Sequence, residues 1–460
     1  MTRNRRGERA SLAWAALAVL AIAVVAYAGI PPLSFAPFES VSLGPPDCEP
    51  GVTCSEGALE STAGDFNDDG NLDIATANNG SDDVTVLLGD GDSGLEWNFT
   101  AAVAGGPAGI ASGNLDGGLV IDLVVSKELD NQIGVLLGNG DGSFDDEVTY
   151  DMGVAPQAVI LADFDGDAIL DVATADLFGE SVSVRLGVGD GTFGELLTTA
   201  VPGGPYGMAA GLLDAGDDLD LAVSLYDDSQ LIPLLGNGDG TFDLGEPVDV
   251  DDSPRGVALG DFNDDGDTDV AVATESFDSV DVLIGNGDAT FELPVPYAVG
   301  GFPESVAAAD YNGDGIVDLA SADSFGTIDF DGTVSVLVGV GDGTFADAEQ
   351  FEVDPGPFGI TAADLNNDRL PDLVTANIDG DTVSVLDNTG TPPIPACVGD
   401  CNGNGTVEIN ELITGVNIAL GQAPLSSCPS FDANGDGMVG INELITAVNN
   451  ALTSCPVPGV

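Results

Sequence analysis

The 460-residue chain contains no histidine and only eight lysine or arginine residues. The absence of histidine excludes every triad or general-base mechanism that uses an imidazole. Four of the eight basic residues lie within the first nine positions, which leaves Lys127, Arg185, Arg255 and Arg369 for the rest of the chain. Because so few cations cannot neutralise a phosphate backbone, a nucleic-acid partner is excluded as well.

Long apolar runs are also missing, except at the N-terminus. There, arginines precede an apolar segment of residues 10–28 that ends in Ala26-Tyr27-Ala28, a small-x-small sequence typical of signal-peptidase sites. We therefore predict a signal peptide of residues 1–28 and a protein that is secreted or displayed at the cell surface. The alternative is an uncleaved anchor, because the segment is nearly long enough to span a bilayer.

Cysteine is scarce, with six residues in the whole chain. An even number in an exported chain predicts disulfides. Cys48 and Cys54 are close in sequence, and we expect them to pair. The other four lie near the C-terminus, where three connectivities remain open: Cys397, Cys401, Cys428 and Cys455.

Acidic residues, in contrast, are abundant: 78 Asp and Glu give a formal net charge of −70. A hydrophobic content of 43% is nevertheless enough for folded cores, so the chain is not a disordered acidic tail. The excess of acid predicts a strongly acidic surface, which favours solubility.

Much of the acid lies in a repeated loop, of which the segment DFNDDGDTD is a good example. Asp261, Asn263, Asp265 and Asp269 occupy its positions 1, 3, 5 and 9, and Gly266 at position 6 permits the left-handed turn that such a loop requires. Oxygen ligands at alternating positions can surround one hard cation, whereas carboxylates crowded without a cation would repel one another. Because neither His nor Cys contributes, the pattern favours Ca²⁺ over zinc or copper.

The loop belongs to a unit that repeats through most of the chain. Its first position recurs at five spacings of 49 residues and one of 54, at Asp65, Asn114, Asp163, Leu212, Asp261, Asp310 and Asp364. Each unit contains four short β-rich segments separated by Gly, Asp and Pro. Seven such units predict an all-β, seven-bladed β-propeller over residues 33–390, with a stacked solenoid as the alternative. The seventh unit lacks its last strand, and we expect the segment FAPFESVSL from Phe35 to supply that strand and close the ring.

The GTF turn, the following G-x-P and the DxNxDGxxD loop resemble the FG-GAP or VCBS-type repeats of integrin alpha-chain propellers and many secreted bacterial proteins. The resemblance implies Ca²⁺ in the loop between the first two strands of a blade and partner binding on the opposite face. It implies five competent sites, formed by Asp65, Asn67, Asp69 and Asp73; Asp163, Asp165, Asp167 and Asp171; Asp261, Asn263, Asp265 and Asp269; Asp310, Asn312, Asp314 and Asp318; and Asp364, Asn366, Asp368 and Asp372. Ala168 and Arg369 replace the position-6 glycine in two of these loops. Two other loops have lost ligands: Asn114, Asp116, Gly118 and Asp122; and Leu212, Asp214, Gly216 and Asp220.

A proline-rich linker of residues 391–396 separates off a second predicted domain over residues 397–456. Two loops there carry oxygen ligands at EF-hand spacing: Asp400, Asn402, Asn404, Glu408 and Glu411; and Asp432, Asn434, Asp436 and Glu443. Each is followed by an apolar helical pattern, ELITGVNIAL or ELITAVNNAL. We therefore predict a small α-helical domain with two Ca²⁺ sites. The paired loop–helix units resemble a dockerin, which implies a cohesin-like partner, although the terminal Glu and the cysteines depart from that family.

Catalytic signals are nearly absent, and we predict a non-catalytic binding or adhesion scaffold for an extracellular protein or polysaccharide. Its candidate surface is the face opposite the acidic loops, where one equivalent position varies and aromatic residues recur near another. The varied position holds Gln157, Tyr206, Arg255, Glu304 and Phe358, and the recurring aromatic residues are Phe178, Tyr226, Phe277 and Phe325. The aromatic residues could instead pack between neighbouring blades.

Two other functions remain open from the sequence. One is a Ca²⁺-dependent polysaccharide-degrading enzyme, or a cellulosome-like component attached through the dockerin-like domain. The other is a structural protein of a surface layer or matrix. A cluster of Asp, Arg or Lys outside the metal loops, in a deep pocket on the opposite face, would favour the enzyme.

Overall fold

The computed structural model describes residues 32–44, 56–325 and 332–390, and C-terminal residues 407, 409–420, 422–423, 427–428, 431, 439, 444 and 447–448. Contacts divide the chain into two units, Met1–Gly390 and Thr391–Val460. The predicted signal peptide, the linker and the Cys48–Cys54 pair lie outside the described residues. In the described part of the chain, no helix is long and apolar enough to cross a membrane.

The first unit consists of seven antiparallel sheets, or blades, as the repeat predicts. The first strands of successive blades lie side by side, and that of the last blade contacts that of the first, so they are called inner strands. The inner strands are β2 (Ala58–Gly64), β6 (Pro107–Gly113), β10 (Pro156–Ala162), β14 (Pro205–Gly211), β19 (Pro254–Gly260), β23 (Gly301–Ala309) and β27 (Pro357–Ala363). The all-β, seven-bladed propeller is thereby confirmed.

The remaining strands follow in order towards the outside of each blade. Second strands are β3 (Asp73–Asn78), β7 (Asp122–Lys127), β11 (Asp171–Asp176), β15 (Asp220–Leu225), β20 (Asp269–Thr274), β24 (Asp318–Phe325) and β28 (Asp372–Asn377). Third strands are β4 (Asp83–Gly89), β8 (Gln132–Leu136), β12 (Ser181–Gly187), β16 (Gln230–Gly236), β21 (Ser279–Leu283), β25 (Thr333–Leu337) and β29 (Thr382–Leu386). Outer strands are β1 (Glu39–Ser42), β5 (Leu95–Ala102), β9 (Val148–Asp151), β13 (Phe193–Ala200), β17 (Phe242–Leu244) with β18 (Val248–Asp249), β22 (Val295–Ala298) and β26 (Glu349–Glu352).

Burial follows the position of a strand within its blade. The first six residues of every second strand are buried, because neighbouring blades cover both faces of each sheet. The outer strands carry exposed residues instead. In the fourth blade the outer strand is interrupted at Gly245-Glu246-Pro247, where proline cannot donate to the ladder. A 3₁₀ turn, Glu275–Phe277, follows β20.

Adjacent blades are joined through the glycine-rich turn between the third and outer strands. The amide of Gly142 donates to the carbonyl of Phe66 in the preceding blade at 3.0 Å. The ring of Phe66 packs edge-on against Phe144, with centroids 5.8 Å apart. Phe262 and Phe345 repeat this contact at 5.5 Å. The phenylalanine of the glycine-rich turn therefore packs between neighbouring blades. Edge-to-face contacts of this kind stabilise the interface between the blades.

The ring is closed by the N-terminal segment, as expected. Strand β1 pairs antiparallel with β29 and becomes the outer strand of the seventh blade. Leu43, directly after β1, is fully buried in a core that also contains Leu87 of the first blade and Val385 of the seventh. The two ends of the propeller are thus held together by an antiparallel sheet with strands from both ends of the unit and by a shared core.

The second unit is described only in part. Helix α1 (Ile409–Ala419) covers the first predicted helical pattern. Ile418 from this helix packs in a small cluster with buried Cys428 and Phe431. A Cβ at Gly415 would lie 2.3 Å from the ring of Phe431, so glycine is required there. The loop ligands have no described side chains, and the two Ca²⁺ sites and the cysteine pairing stay predictions.

Ring closure predicts that truncating Leu43 destabilises the whole propeller. Leu43→Ala removes a fully buried side chain, so we expect the free energy of unfolding to fall by about 2–5 kcal/mol. Val148→Ala, at an exposed outer-strand position, is the control and should change stability by less than about 0.5 kcal/mol. Denaturant unfolding monitored by circular dichroism measures both. An unchanged Leu43→Ala variant would contradict closure through this segment.

Candidate functional site: acidic loops and inner-strand cavity

The five intact acidic loops share one hydrogen-bonded turn. In the fifth blade, the carboxylate of Asp261 accepts from the amides of Asp265 at 3.2 Å and Gly266 at 2.9 Å. The side-chain oxygen of Asn263 also accepts from the Asp265 amide, at 3.0 Å. The same bonds form in the loops that begin at Asp65, Asp163, Asp310 and Asp364.

The aspartate at position 9 has a different role, which holds in all seven blades. In the fifth blade, one oxygen of Asp269 accepts from the amide of Phe262 at 2.7 Å, and the other accepts from the amide of Gly285 at 2.7 Å. These residues are called the anchor aspartates: Asp73, Asp122, Asp171, Asp220, Asp269, Asp318 and Asp372. Each is at most 2% exposed. Each one fixes the start of its acidic loop to the end of the third strand.

Two anchor aspartates belong to the loops that lack ligands. Asp122 and Asp220 keep both backbone bonds, although Leu212 has replaced a first-position carboxylate. The anchoring contact therefore does not depend on a complete ligand set. Burial raises the pKa of Asp269 to about 6 and that of Asp318 to about 7, which reflects the cost of placing an anion there.

The loop of the third blade brings three carboxylates together. Oxygens of Asp163, Asp165 and Asp171 all lie within 4.8 Å of one another. The other intact loops have Asn at position 3 but keep the same turn. An all-oxygen donor set of this kind suits a hard divalent cation. The loops of the second and fourth blades fit a cation poorly, because Gly118 and Gly216 offer no side-chain oxygen at position 5.

Replacement of the position-6 glycine does not change the turn. Ala168 and Arg369 adopt φ values of 67° and 78°, in the same left-handed region as Gly266 at 88°. A Cβ at Gly266 would meet no atom within 4 Å, so the space around this position is open. The two substitutions are therefore tolerated sterically, and their cost is backbone strain alone.

The opposite face of the propeller carries the varied residues. Strands alternate in direction, so the starts of the inner strands and the turns between second and third strands share the end away from the acidic loops. A cavity of about 250 Å³ lies between the inner strands and is called the inner-strand cavity. Its lining includes four of the five predicted residues: Gln157, Tyr206, Glu304 and Phe358.

The fifth predicted residue, Arg255, organises a cluster beside the cavity. Its guanidinium pairs with Glu275 at 2.9 Å and Glu304 at 2.8 Å, and it donates to the hydroxyl of Tyr206 at 2.8 Å. The guanidinium also lies over the ring of Phe358, 5.6 Å from its centroid. Planar ion pairing and stacking on aromatic rings are the interactions that distinguish Arg from Lys.

The recurring aromatic residues divide into two groups. Phe178 and Phe277 are 69% and 59% exposed, and Phe325 is 39% exposed. Tyr226 instead packs on Tyr206, with ring centroids 5.8 Å apart, and its hydroxyl lies 3.3 Å from a Glu275 oxygen. Packing therefore explains Tyr226, whereas the phenylalanines leave apolar surface on the cavity face.

Sequence reasoning missed Glu60, which also lines the cavity. It stands three positions after Gly57 in the inner strand of the first blade, and no hydrogen bond or ion pair to its carboxylate is found among the described residues. Burial raises the pKa of Glu60 to about 8. The signal was present in the aligned repeats, because the equivalent residue of every other blade is small: Gly109, Ala158, Gly207, Gly256, Ser305 and Gly359.

Comparisons with known proteins agree with this architecture. Residues 261–321 and 322–375 match the FG-GAP-like repeat family. No curated protein sequence matches the chain.

Solved propellers resemble the chain at low identity. A streptogramin B lyase structure is 14% identical with a TM-score of 0.53, over 77% of this chain and 98% of that one. Virginiamycin B lyase from Staphylococcus aureus is 13% identical with a TM-score of 0.52, over 77% and 99%. A protein from Lactobacillus plantarum is 12% identical with a TM-score of 0.54, over 71% and 98%. Likeness at these identities shows the fold alone.

The left-handed backbone at position 6 of the acidic loops predicts opposite effects of two substitutions on the free energy of unfolding. Ala168→Gly should raise the free energy of unfolding by about 1 kcal/mol, because it relieves strain at a positive φ. Gly266→Ala should lower it by about the same amount, since the added Cβ has open space and only the backbone is affected. Denaturant unfolding of both variants is the test. Changes of equal sign would contradict the shared turn.

Proposed function

We propose that the propeller is a non-catalytic binding scaffold that presents its cavity face to an extracellular protein or polysaccharide. One observation carries the proposal: a single structural position holds Gln157, Tyr206, Glu304 and Phe358 in different blades, and these side chains converge on one cavity. The anchor aspartates on the other face are constant. A constant scaffold with a varied, concave surface is the usual arrangement of a recognition site.

The turns around the cavity add exposed aromatic surface. Phe178 and Phe277 are the most exposed members, and both belong to the turns after second strands. Large exposed aromatic side chains supply contact area at little cost in conformational entropy, which suits a protein or carbohydrate partner. The acidic surface makes a second acidic molecule an unfavourable partner.

The acidic loops have a supporting role in this proposal. We infer that five of them hold Ca²⁺, because their oxygen donors share one turn and three carboxylates converge in the third blade. The bound ions would stiffen the face away from the partner. We further propose two Ca²⁺ sites in the dockerin-like C-terminal unit, a cohesin-like partner for that unit, and export of the chain to the cell exterior.

An enzyme is the second candidate, because ionisable side chains outside the acidic loops cluster at the cavity. Glu60 and Glu304 both line the cavity, and burial raises the pKa of Glu304 to about 7. A protonated carboxyl beside a second carboxyl could serve glycosidic-bond cleavage. Against this candidate, the Arg255 guanidinium is already paired with Glu275 and Glu304, so it has little capacity left for a substrate anion.

The binding proposal predicts that the exposed phenylalanines are needed for partner binding and dispensable for folding. The test is a Ca²⁺-containing binding assay against a glycan array and a panel of purified matrix proteins. The double variant Phe178→Ser/Phe277→Ser should lose at least about tenfold in affinity with an unchanged melting temperature. The control is Leu119→Ser, which alters a 90% exposed residue in an acidic loop on the other face and should bind normally.

Three results would count against the proposal. Absence of any ligand on both panels would contradict a binding scaffold. Loss of binding in Leu119→Ser but not in the double variant would place the binding surface on the face of the acidic loops. Release of new reducing ends or unsaturated sugars from an arrayed polysaccharide would replace the scaffold by the enzyme.

A further inference from the structure

Glu60 is a large residue at an inner-strand position that is small in the other six blades. The equivalent position lies where neighbouring inner strands come closest together. A Cβ at Gly207 would meet the carbonyl oxygen of Arg255 at 2.2 Å, and one at Gly256 would meet the Cα of Ser305 at 2.7 Å. Six blades therefore have a small residue there, and only the first blade carries a long, ionisable one.

The Glu60 carboxylate faces the inner-strand cavity from a deep position. Glu60 lines the cavity and keeps part of its surface open, although it is inside the ring. Its carboxylate lies against the seventh blade, since a Cβ at Gly359 would be 2.8 Å from one of its oxygens. An ionised group in such a place is costly unless it is paired.

Among residues 32–44, 56–325 and 332–390, no cationic side chain is available for this carboxylate. Arg255 is engaged by Glu275 and Glu304. Lys127 pairs with Glu147 at 3.0 Å.

The two other basic residues that the structure describes are also engaged or distant. Arg185 donates to the backbone carbonyls of Asp151 and Gly194. Arg369 lies in an acidic loop on the other face. The cavity thus contains a carboxyl group whose ionised form has no cationic partner among the described residues.

We propose that the inner-strand cavity binds a primary alkylammonium group, such as a lysine side chain of the bound partner, and that Glu60 is its counter-ion. The inference rests on the proposed binding function and names the chemistry that the cavity recognises. The two charged side chains among the described lining residues are Glu60 and Glu304, both acidic. An anionic ligand is therefore disfavoured, and a bound cation would stabilise the ionised form of Glu60.

The rest of the lining suits an alkyl chain that ends in an ammonium group. Ile110, Met208, Val306 and Ile360 provide apolar walls. Gln157 can accept one of the three ammonium donors through its amide oxygen. A volume of about 250 Å³ is below that of most drug-sized pockets, so a chain of lysine length fits better than an oligosaccharide.

Binding should be linked to release of a proton. Because burial raises the pKa of Glu60 to about 8, its carboxyl is mostly protonated at pH 7 and must ionise to pair with an ammonium. Affinity should therefore rise with pH, by up to about tenfold per unit below pH 8, and then level off. Glu304, Glu275, Tyr206 and Arg255 are the other titratable or charged groups near the cavity. Glu304 and Glu275 pair with Arg255, and burial raises the pKa of Glu304 to about 7.

The experiment titrates the full chain with n-butylammonium at pH 8 by isothermal calorimetry. We expect saturable binding to the wild type and at least about tenfold weaker binding to Glu60→Gln and Glu60→Ala. Alanine occupies the same position in the third blade at Ala158, so the second variant should fold. The control Glu96→Gln removes an exposed carboxylate of the first blade and should bind as the wild type does. 1-Butanol tests whether the charge is needed.

Several results would overturn the proposal. These are an absence of saturable binding to the wild type, equal affinity in Glu60→Gln, and equal affinity for 1-butanol. A pH dependence that survives in Glu60→Gln would assign the titration to Glu304 instead. If butylammonium fails while a partner still binds through Phe178 and Phe277, only this inference falls and the scaffold function stands.

Discussion

Each blade depends on one buried carboxylate that holds three parts of the backbone together. An anchor aspartate begins the second strand, accepts from the amide at the start of the acidic loop and accepts from the amide at the end of the third strand. Charge-assisted bonds of this kind are each worth about 1.5–3 kcal/mol, which offsets part of the cost of burying the anion. Because both bonds are to backbone amides, they do not depend on the side chain of the donating loop residue, which is Phe66, Leu115 or Tyr311 in different blades.

The anchor aspartates explain which parts of the repeat stay constant. The anchor persists in the loops of Asp122 and Asp220, where other ligand positions have been lost. The opposite ends of the strands carry no such constraint. There the position after the first inner-strand residue changes from Gln157 to Tyr206 to Phe358, and its side chains face the cavity. Structural and recognition roles are thus placed at opposite ends of the same strands.

Much of the fold could be predicted from the sequence, because a constant period reports a constant structural unit. The 49-residue spacing indicated the blades, and the incomplete last unit indicated closure by residues after Phe35. The second role of the anchor aspartates was not predictable from one loop, since spacing alone fits a ligand equally well. The available clue was that the aspartate is kept at Asp220, in a loop whose first ligand position is Leu212.

The candidate site was harder to predict because it depends on neighbours from different blades. Phe178 and Tyr226 lie in equivalent turns of the third and fourth blades, one aligned position apart. Only Tyr226 meets Tyr206, so Phe178 is exposed and Tyr226 is packed. Glu60 carries no motif at all. It becomes visible only when the seven inner strands are aligned. That no cationic side chain of the described residues pairs with it becomes visible only when the surrounding side chains are placed.

The most direct test of this account is thermal unfolding of Asp220→Ala and Asp261→Ala, each in excess Ca²⁺ and in EDTA. The account predicts that Asp220→Ala lowers stability by about 3 kcal/mol in both conditions, because it removes backbone bonds in a loop that binds no ion. Asp261→Ala should lower the melting temperature more in Ca²⁺ than in EDTA, because it removes a ligand. An effect of Asp220→Ala that appears only in Ca²⁺, or wild-type melting that EDTA leaves unchanged, would contradict it.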